Sequence, residues 1–366
     1  MLRSSLPYCL ASALAAASLG GCLAADPADL GHGEDAIIGG VPAFSASLDA
    51  IGSINKLRDS GKFTQRCTGT LIAPTVVLTA QHCVETEEGD PPLTPDQLEF
   101  AIGFDSVAPK RRIKVRGFAA EHSLDEGGFV GLGTDVGVIH LAEPVTDIKP
   151  LPFASFDPAR VGERFSMVGY GVQDTDDSPS DPFFSKRLTG SATLRGPASG
   201  KVLEQMFGSF EGFLRHLGDL RDFDEDEATL RQLFDEITLL DNEEAVLGGA
   251  PGDANGCFGD SGGPIIKNVG GKLTTFGVAS GVFRGTAQPC FGAVYDVFGP
   301  TSRAFIEREV ACPLIPAAGT CDGDVAVRCA DPNEGAFRPL RNDCATLGQT
   351  CGFDPATHAV ACVDPS

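Results

Sequence analysis

Tryptophan is absent from the 366 residues, and tyrosine and methionine occur three times each. Positive charge is scarce. Lys and Arg number 28 against 50 Asp and Glu, a formal net charge of −22. That balance excludes the basic footprint nucleic acids require and favours a soluble, self-repelling surface. The apolar stretch Leu10 to Leu19 is too short to span a bilayer. Six cysteines fall in the last 55 residues with no C-x-x-C pair and no histidine pattern beside them, which argues against zinc. Glycine (45) and proline (25) are plentiful, as in a turn-rich all-β protein, and 42% hydrophobic residues supply a sizeable core and exclude wholesale disorder. Twelve cysteines point to an oxidising compartment.

The most informative stretch is Cys257-Phe258-Gly259-Asp260-Ser261-Gly262-Gly263-Pro264. A serine hydroxyl is a weak nucleophile unless a base takes its proton and donors stabilise the oxyanion that forms. Gly259 lets the backbone bend so that its N–H and that of Ser261 point at one spot. Upstream, the β-branched run Thr75 to Thr79 reads as a buried strand delivering His82 beside Cys83. Between the two, Thr134-Asp135-Val136-Gly137-Val138-Ile139-His140-Leu141 sets an aspartate at the start of an apolar strand.

These segments resemble the chymotrypsin-like (trypsin-fold) serine peptidases, and the order His82, Asp135, Ser261 is that of chymotrypsin. The resemblance covers roughly residues 37–311 and includes two further matches. Ile37-Ile38-Gly39-Gly40 is similar to the N-terminus created by activation cleavage, and Ser280 lies in a segment similar to the strand that holds substrate backbone. It implies two six-stranded antiparallel β-barrels with the cleft between them. It also implies a triad in which Ser261 attacks, His82 carries the proton and Asp135 orients His82, and an oxyanion hole from the N–H groups of Gly259 and Ser261. The expected reaction is peptide hydrolysis through an acyl-enzyme, on protein or peptide substrates, by a monomer without cofactor or metal. The family pairings correspond to Cys67–Cys83 and Cys257–Cys290, and the activation pair to Ile37 and Asp260. Gln81 departs from the family's alanine, and Tyr170 stands where a tryptophan is common.

The pocket floor corresponds to Asn255, which lacks the charge that selects Arg or Lys. Val282 and Ala293 stand where glycines leave a deep slot, so small or medium uncharged side chains are expected before the scissile bond. Gly281 replaces an aromatic, leaving that wall open or filled from elsewhere.

Residues 1–21 look like a bacterial export signal. The segment ends in Leu19-Gly20-Gly21-Cys22, which resembles a lipobox that would lipidate Cys22; ordinary cleavage near Ala24 or Ala25 is the alternative. Residues 22–36 then form a tether and pro-segment. Cleavage between Ala36 and Ile37 is expected to mature the enzyme and free it from the membrane, making it an outer-membrane lipoprotein or a secreted protein. Residues 199–244 read as a helical insertion of two amphipathic helices joined by an acidic run. It is placed after the first strand of the second barrel, flanking the cleft. That run lacks the spacing of an EF-hand loop, and a second acidic loop spans Asp174 to Asp181. Phe298 to Val310 reads as a closing helix, followed at 312–366 by a disulfide-stapled module whose six cysteines allow 15 pairings. The competing functional reading is a catalytically idle scaffold that binds through that module.

Overall fold

The structure is a computed structural model that describes residues 37–86, 90–122, 134–171, 185–218, 226–283, 290–316, 318–330 and 337–365. The export segment, Cys22, the tether, the acidic loop at 174–181, and most of the acidic run after Gly218 lie outside these residues.

A short β1 (Val41–Pro42) precedes a barrel of β2 (Ile51–Leu57), β3 (Phe63–Ala73), β4 (Val76–Thr79), β5 (Leu98–Ile102), β6 (Arg111–Ala120) and β7 (Gly137–Leu141). It closes in the order β2-β3-β4-β7-β6-β5. β6 alternates, with Ile113 and Val115 inside and Arg112, Lys114 and Arg116 less buried, the period of a strand with one wet face. β4 and β7 are buried throughout because both faces are covered. Val77, Ile139 and Leu141 fill the barrel, whereas Val76, Leu78 and Val138 meet Phe305 and Ile306 of a helix outside it.

The second unit uses β8 (Arg164–Gly169), β9 (Leu188–Thr193), β12 (Glu244–Leu247), β13 (Pro264–Val269), β14 (Lys272–Val282) and β15 (Ala293–Val297), while the hairpin β10 (Gly200–Lys201) and β11 (Thr238–Leu239) stands apart. The strand order is β1-β9-β8-β13-β14-β15-β12, so β1 adds a seventh strand at one edge. The six main strands close through a single bridge, Leu194 to Leu247. The bridge consists of two backbone bonds, Arg195 N–H to the Val246 carbonyl (2.9 Å) and Gly248 N–H to the Thr193 carbonyl (3.0 Å). The expected double barrel is present, with its second member fastened far more loosely than its first.

The insertion differs from expectation in two respects. It follows β9, the second strand of the second barrel, not the first. It also holds three helices: α1 (Val202–Phe207), α2 (Phe210–Leu217) and α3 (Glu227–Glu236). The apolar periodicity over 202–217 runs through a break. Gly208 ends α1 in the left-handed region (φ 73°), and Ser209 caps α2 by accepting the Gly212 N–H. Leu203, Phe210, Phe213, Leu217, Leu230 and Phe234 then pack as a separate small core.

α4 (Pro300–Ala311) begins two residues later than expected, with Gly299 as its N-cap and Pro300 in its first turn. Beyond it lie a three-stranded sheet of β16 (Thr320–Asp322), β17 (Val325–Ala330) and β18 (Arg338–Asp343) and a hairpin of β19 (Thr350–Asp354) and β20 (Ala359–Val363). The six cysteines pair as Cys312–Cys329, Cys321–Cys351 and Cys344–Cys362. Cys312 is the C-cap residue of α4, so the first of these bonds ties the module to the two-barrel unit. Among the described residues no helix is long and apolar enough to cross a membrane.

Candidate active site

Strand register brings two of the three expected residues together. Thr79 of β4 pairs with Gly137 of β7. His82 lies three residues beyond Thr79, and Asp135 two residues before Gly137, at the same end of an antiparallel pair. A side chain at Gly137 would press on the Ala80 carbonyl at 2.8 Å, so glycine permits the approach. His82 sits in a single helical turn, Gln81–Cys83, pinned to β3 by the Cys67–Cys83 disulfide. Asp135 devotes both oxygens to it: His82 Nδ1 lies 2.8 Å from Oδ2, and the His82 backbone N–H donates to Oδ1 at 3.0 Å. The imidazole side chain is 46% exposed and the Asp135 carboxylate 17%. A nitrogen turned to solvent and a carboxylate turned inward suit a base that must meet a ligand on one side only.

Ser261 is brought beside this turn. Its carbonyl lies 3.7 Å from Cys83 Sγ and accepts the Thr68 N–H at 2.9 Å. Its hydroxyl forms no hydrogen bond with His82 among the described residues; such contacts commonly tighten only when a substrate is bound. The loop is held by the other barrel: the Gly259 carbonyl accepts from Gln65 Nε2 (2.9 Å) and Thr68 Oγ1 (3.0 Å), both on β3. Gly259 has φ +93°, and a side chain there would also collide with Gln65. Asp260, Gly262 and Gly263 donate their N–H groups to Cys257, Ala279 and Asp260 carbonyls. The N–H groups of Gly259 and Ser261 donate to no acceptor among the described residues.

Asp260 points the other way, into the protein. Its oxygens accept the Gly171 N–H (2.8 Å) and the Cys257 N–H (2.9 Å). Burial pushes its carboxyl up to about 7, against the lowering effect of those two donors. Gly169 and Gly171 make room, since a side chain on either would overlap the carboxyl. Ile37 is 1% exposed in a cluster with Met167, Ala254 and Tyr295, and the Asn255 N–H donates to the Ile38 carbonyl at 2.9 Å. Ile37 has φ 48°, a strained value for a β-branched residue. Among the described residues no hydrogen bond joins Ile37 to Asp260.

Asn255 is 5% exposed, and its Oδ1 accepts N–H groups from Gly249 (3.1 Å) and Gly292 (2.7 Å). Val282 pairs with Ala293 across β14 and β15, and open space faces Gly281. Ser280 is half-buried on β14. Met206 of α1, which sequence reading did not assign to the pocket, reaches behind it: a side chain at Gly292 would strike its Cε. Phe207 stacks on Phe291 at 5.6 Å and meets Phe283 edge-on at 5.8 Å. The Cys257–Cys290 disulfide joins this wall to the Ser261 loop. Asp296 was also missed; its one signal was an acid inside the apolar strand Ala-Val-Tyr-Asp-Val.

Cys67, His82 and Cys83 bring potential metal-ligand atoms within 4.8 Å of one another. The two sulfurs are bonded to each other, however, and offer no thiolate. The arrangement as a whole holds a histidine oriented by a carboxylate, a serine beside it, and two free N–H groups two residues apart. Such a set can remove a hydroxyl proton and stabilise an oxyanion.

Residues 37–207 match the sequence model of the family Trypsin. The "Trypsin-like protease" of Streptomyces glaucescens is 26% identical over 272 residues, covering 74% of this chain and 80% of that protein.

Proposed function

We propose that the chain is a serine peptidase of the trypsin family, as the match of residues 37–207 and the Streptomyces relative support, and that His82, Asp135 and Ser261 make it a working endopeptidase. Ser261 Oγ attacks the scissile carbonyl as His82 takes its proton, and His82 returns that proton to the leaving amine. Asp135 fixes the ring so that its outer nitrogen faces the serine. The N–H groups of Gly259 and Ser261 receive the oxyanion. The observation that carries the reading is that these two donors alone among residues 259–263 lack an acceptor, beside a histidine whose carboxylate partner is already in place. The test is covalent labelling by an organophosphorus or sulfonyl fluoride reagent, with Ser261→Ala as control. Labelling at Ser261 that tracks loss of peptidase activity is expected; no labelling of folded, mature protein would leave the idle scaffold as the better account.

The enzyme prefers small or medium uncharged residues before the scissile bond. Support comes from Asn255, whose carbonyl oxygen is taken up by two backbone donors, and from Val282 and Ala293, paired across β14 and β15, which have side chains where glycines would leave a deep slot. A peptide library cleaved mainly after Arg or Lys would reject this.

Maturation is by cleavage between Ala36 and Ile37. The strained φ of Ile37 ceases to exist once the bond is cut, and the new ammonium supplies the cation that buried Asp260 lacks. The protein is exported, in keeping with five disulfides, and is held by Cys22 until the cut. N-terminal sequencing of active protein tests both points: a start at Cys22 in fully active, membrane-bound protein refutes them.

A further inference from the structure

Asp135 is itself held from behind. Its backbone N–H donates to Oδ2 of Asp296 at 2.8 Å, across from the first barrel to β15 of the second. Asp296 is wholly buried. Its other oxygen, Oδ1, lies 3.0 Å from Ser302 Oγ in the first turn of α4. That same hydroxyl lies 2.7 Å from Oε2 of Glu243. Glu243 in turn accepts the N–H groups of Thr301 (2.7 Å) and Ser302 (3.2 Å) at the start of the helix. Among the described residues no Lys or Arg pairs with Asp296 or Glu243. The groups facing Asp296 are therefore Asp135 from the loop before β7, Glu243 from the turn before β12, and Ser302 from α4.

A hydroxyl has one proton to give. Ser302 cannot donate to both carboxyl groups, so one of its two contacts must run the other way, from a protonated acid to the serine oxygen. Glu243 is the worse place for that proton. It already accepts two backbone N–H groups at a helix N-terminus, where negative charge is favoured. Asp296 is the better place, since an anion there would be buried beside the Asp135 carboxylate without a cation. We propose that Asp296 is a neutral carboxylic acid and a positioning residue for Asp135. Its O–H donates to Ser302, whose O–H donates to Glu243, and its carbonyl oxygen receives the Asp135 N–H. Burial, the largest influence on Asp296, pushes its carboxyl well above the usual range, as this requires. The chain of bonds locks the loop that aims Asp135 at His82 without adding a second negative charge to the site.

The inference rests on the peptidase reading, so labelling of wild-type Ser261 comes first; a wild type that does not label defeats that reading and leaves Asp296 to the infrared test below. In labelled protein, Asp296→Ala should lower kcat by about ten- to a hundredfold, the range for one lost buried hydrogen bond, with KM unchanged. Asp296→Asn, which keeps a neutral acceptor and a donor of the same shape, should stay within about threefold of wild type. Infrared difference spectra between Ser261→Ala protein and the Ser261→Ala, Asp296→Asn double variant, both carrying ¹³C-aspartate and held above about pH 8 so that Asp260, pushed up to about 7, has released its proton, should show a protonated carboxyl band that belongs to Asp296. Undiminished kcat in Asp296→Ala, an asparagine variant as impaired as the alanine variant, or absence of that band would each overturn the proposal. Should Asp296→Ala fail to fold, the asparagine kinetics and the infrared band still decide.

Discussion

The two barrels hold their parts of the site by different means. In the first, every neighbouring strand pair is laddered, three of the six through a register shift, and His82 and Asp135 are set by strand register, a disulfide and three hydrogen bonds between neighbouring segments. In the second, closure rests on one bridge, and Ser261 sits in a loop shaped by glycines with positive φ. That loop takes its support from elsewhere: Thr68 and Gln65 from the first barrel, and Asp260 from beneath. The orienting pair is built into the first barrel save for the one bond that the Asp135 N–H gives to Asp296 of β15, whereas the Ser261 loop depends on contacts that can be withheld. Activation by the proposed cut before Ile37 would act on that conditional half.

The comparison is broken most completely at the residues themselves. Ser261→Ala or His82→Ala, one from each barrel, should each lower kcat by roughly 10⁴- to 10⁶-fold, and the double variant little further, because the residues act as a unit. Wild-type turnover by folded Ser261→Ala protein would end the assignment. A sharper cut spares the first barrel. Gly171→Ala would place a methyl within 2.4 Å of the Asp260 carboxyl and must displace it. Activity should fall by about a hundredfold or more, while the low-field proton of the His82–Asp135 bond persists in nuclear magnetic resonance spectra. Loss of that proton too would show that the halves are not separable.

Asp260 also gives the uncut protein a pH signature. The buried acid keeps its proton to about pH 7, while an exposed one releases it near 3.8. Between those values the folded precursor binds more protons than the unfolded chain, so its stability falls as pH rises through that window, by on the order of 4 kcal/mol from this group, and then levels off. Cleavage reverses the logic. The ammonium created at Ile37 by the proposed cut would favour the carboxylate, a contribution present while that amine is charged and lost as pH rises above its ordinary value of about 8. Denaturant unfolding of Ser261→Ala protein, uncut and cut, at several pH values reads the difference. Identical pH dependence in both forms would separate Ile37 from Asp260.

What the sequence disclosed follows the same division. The residues proposed to do chemistry announce themselves by type and neighbours, as His82 does before Cys83 and Ser261 does among glycines. Strands with both faces covered were visible as mainly apolar runs at β4 and β7, the latter interrupted by His140. Supporting residues were silent. Thr68 looks like any strand threonine, and the roles of Asp296 and Met206 depend on segments distant in the chain. The pairing of the last six cysteines was beyond reach for the same reason. The break at Gly208 was hidden differently: apolar spacing continued across it, so the glycine alone marked the end of α1. Thr68→Val tests such a silent residue. It keeps the shape but removes the hydroxyl that donates to the Gly259 carbonyl and accepts the Tyr170 N–H. About a tenfold loss in kcat is expected, with Ser261 labelling slowed equally; unchanged labelling would mean the loop holds its own shape.

The smallest expected effect concerns the insertion, which has no counterpart on the first barrel. Met206 fills space behind Gly249 and Gly292, the two residues whose N–H groups hold the Asn255 side chain. Its sulfur and methyl lie against the backbone of the pocket, not in its mouth. Removing them with Met206→Ala should leave the triad and the oxyanion donors untouched, so kcat on the best substrate changes by no more than about threefold. The pocket floor, however, loses its backing. A cavity lined by Val246, Val294 and Leu239 opens beneath it, and larger side chains such as Leu, Met or Phe should gain a few-fold in kcat/KM relative to Ala or Val, the size expected for one or two methylenes in an apolar pocket. A library profile measured on both proteins gives the answer. An unshifted profile would make the insertion a brace for the second barrel and nothing more, whereas a shifted one would show that the loosely fastened barrel sets its selectivity from outside its own strands.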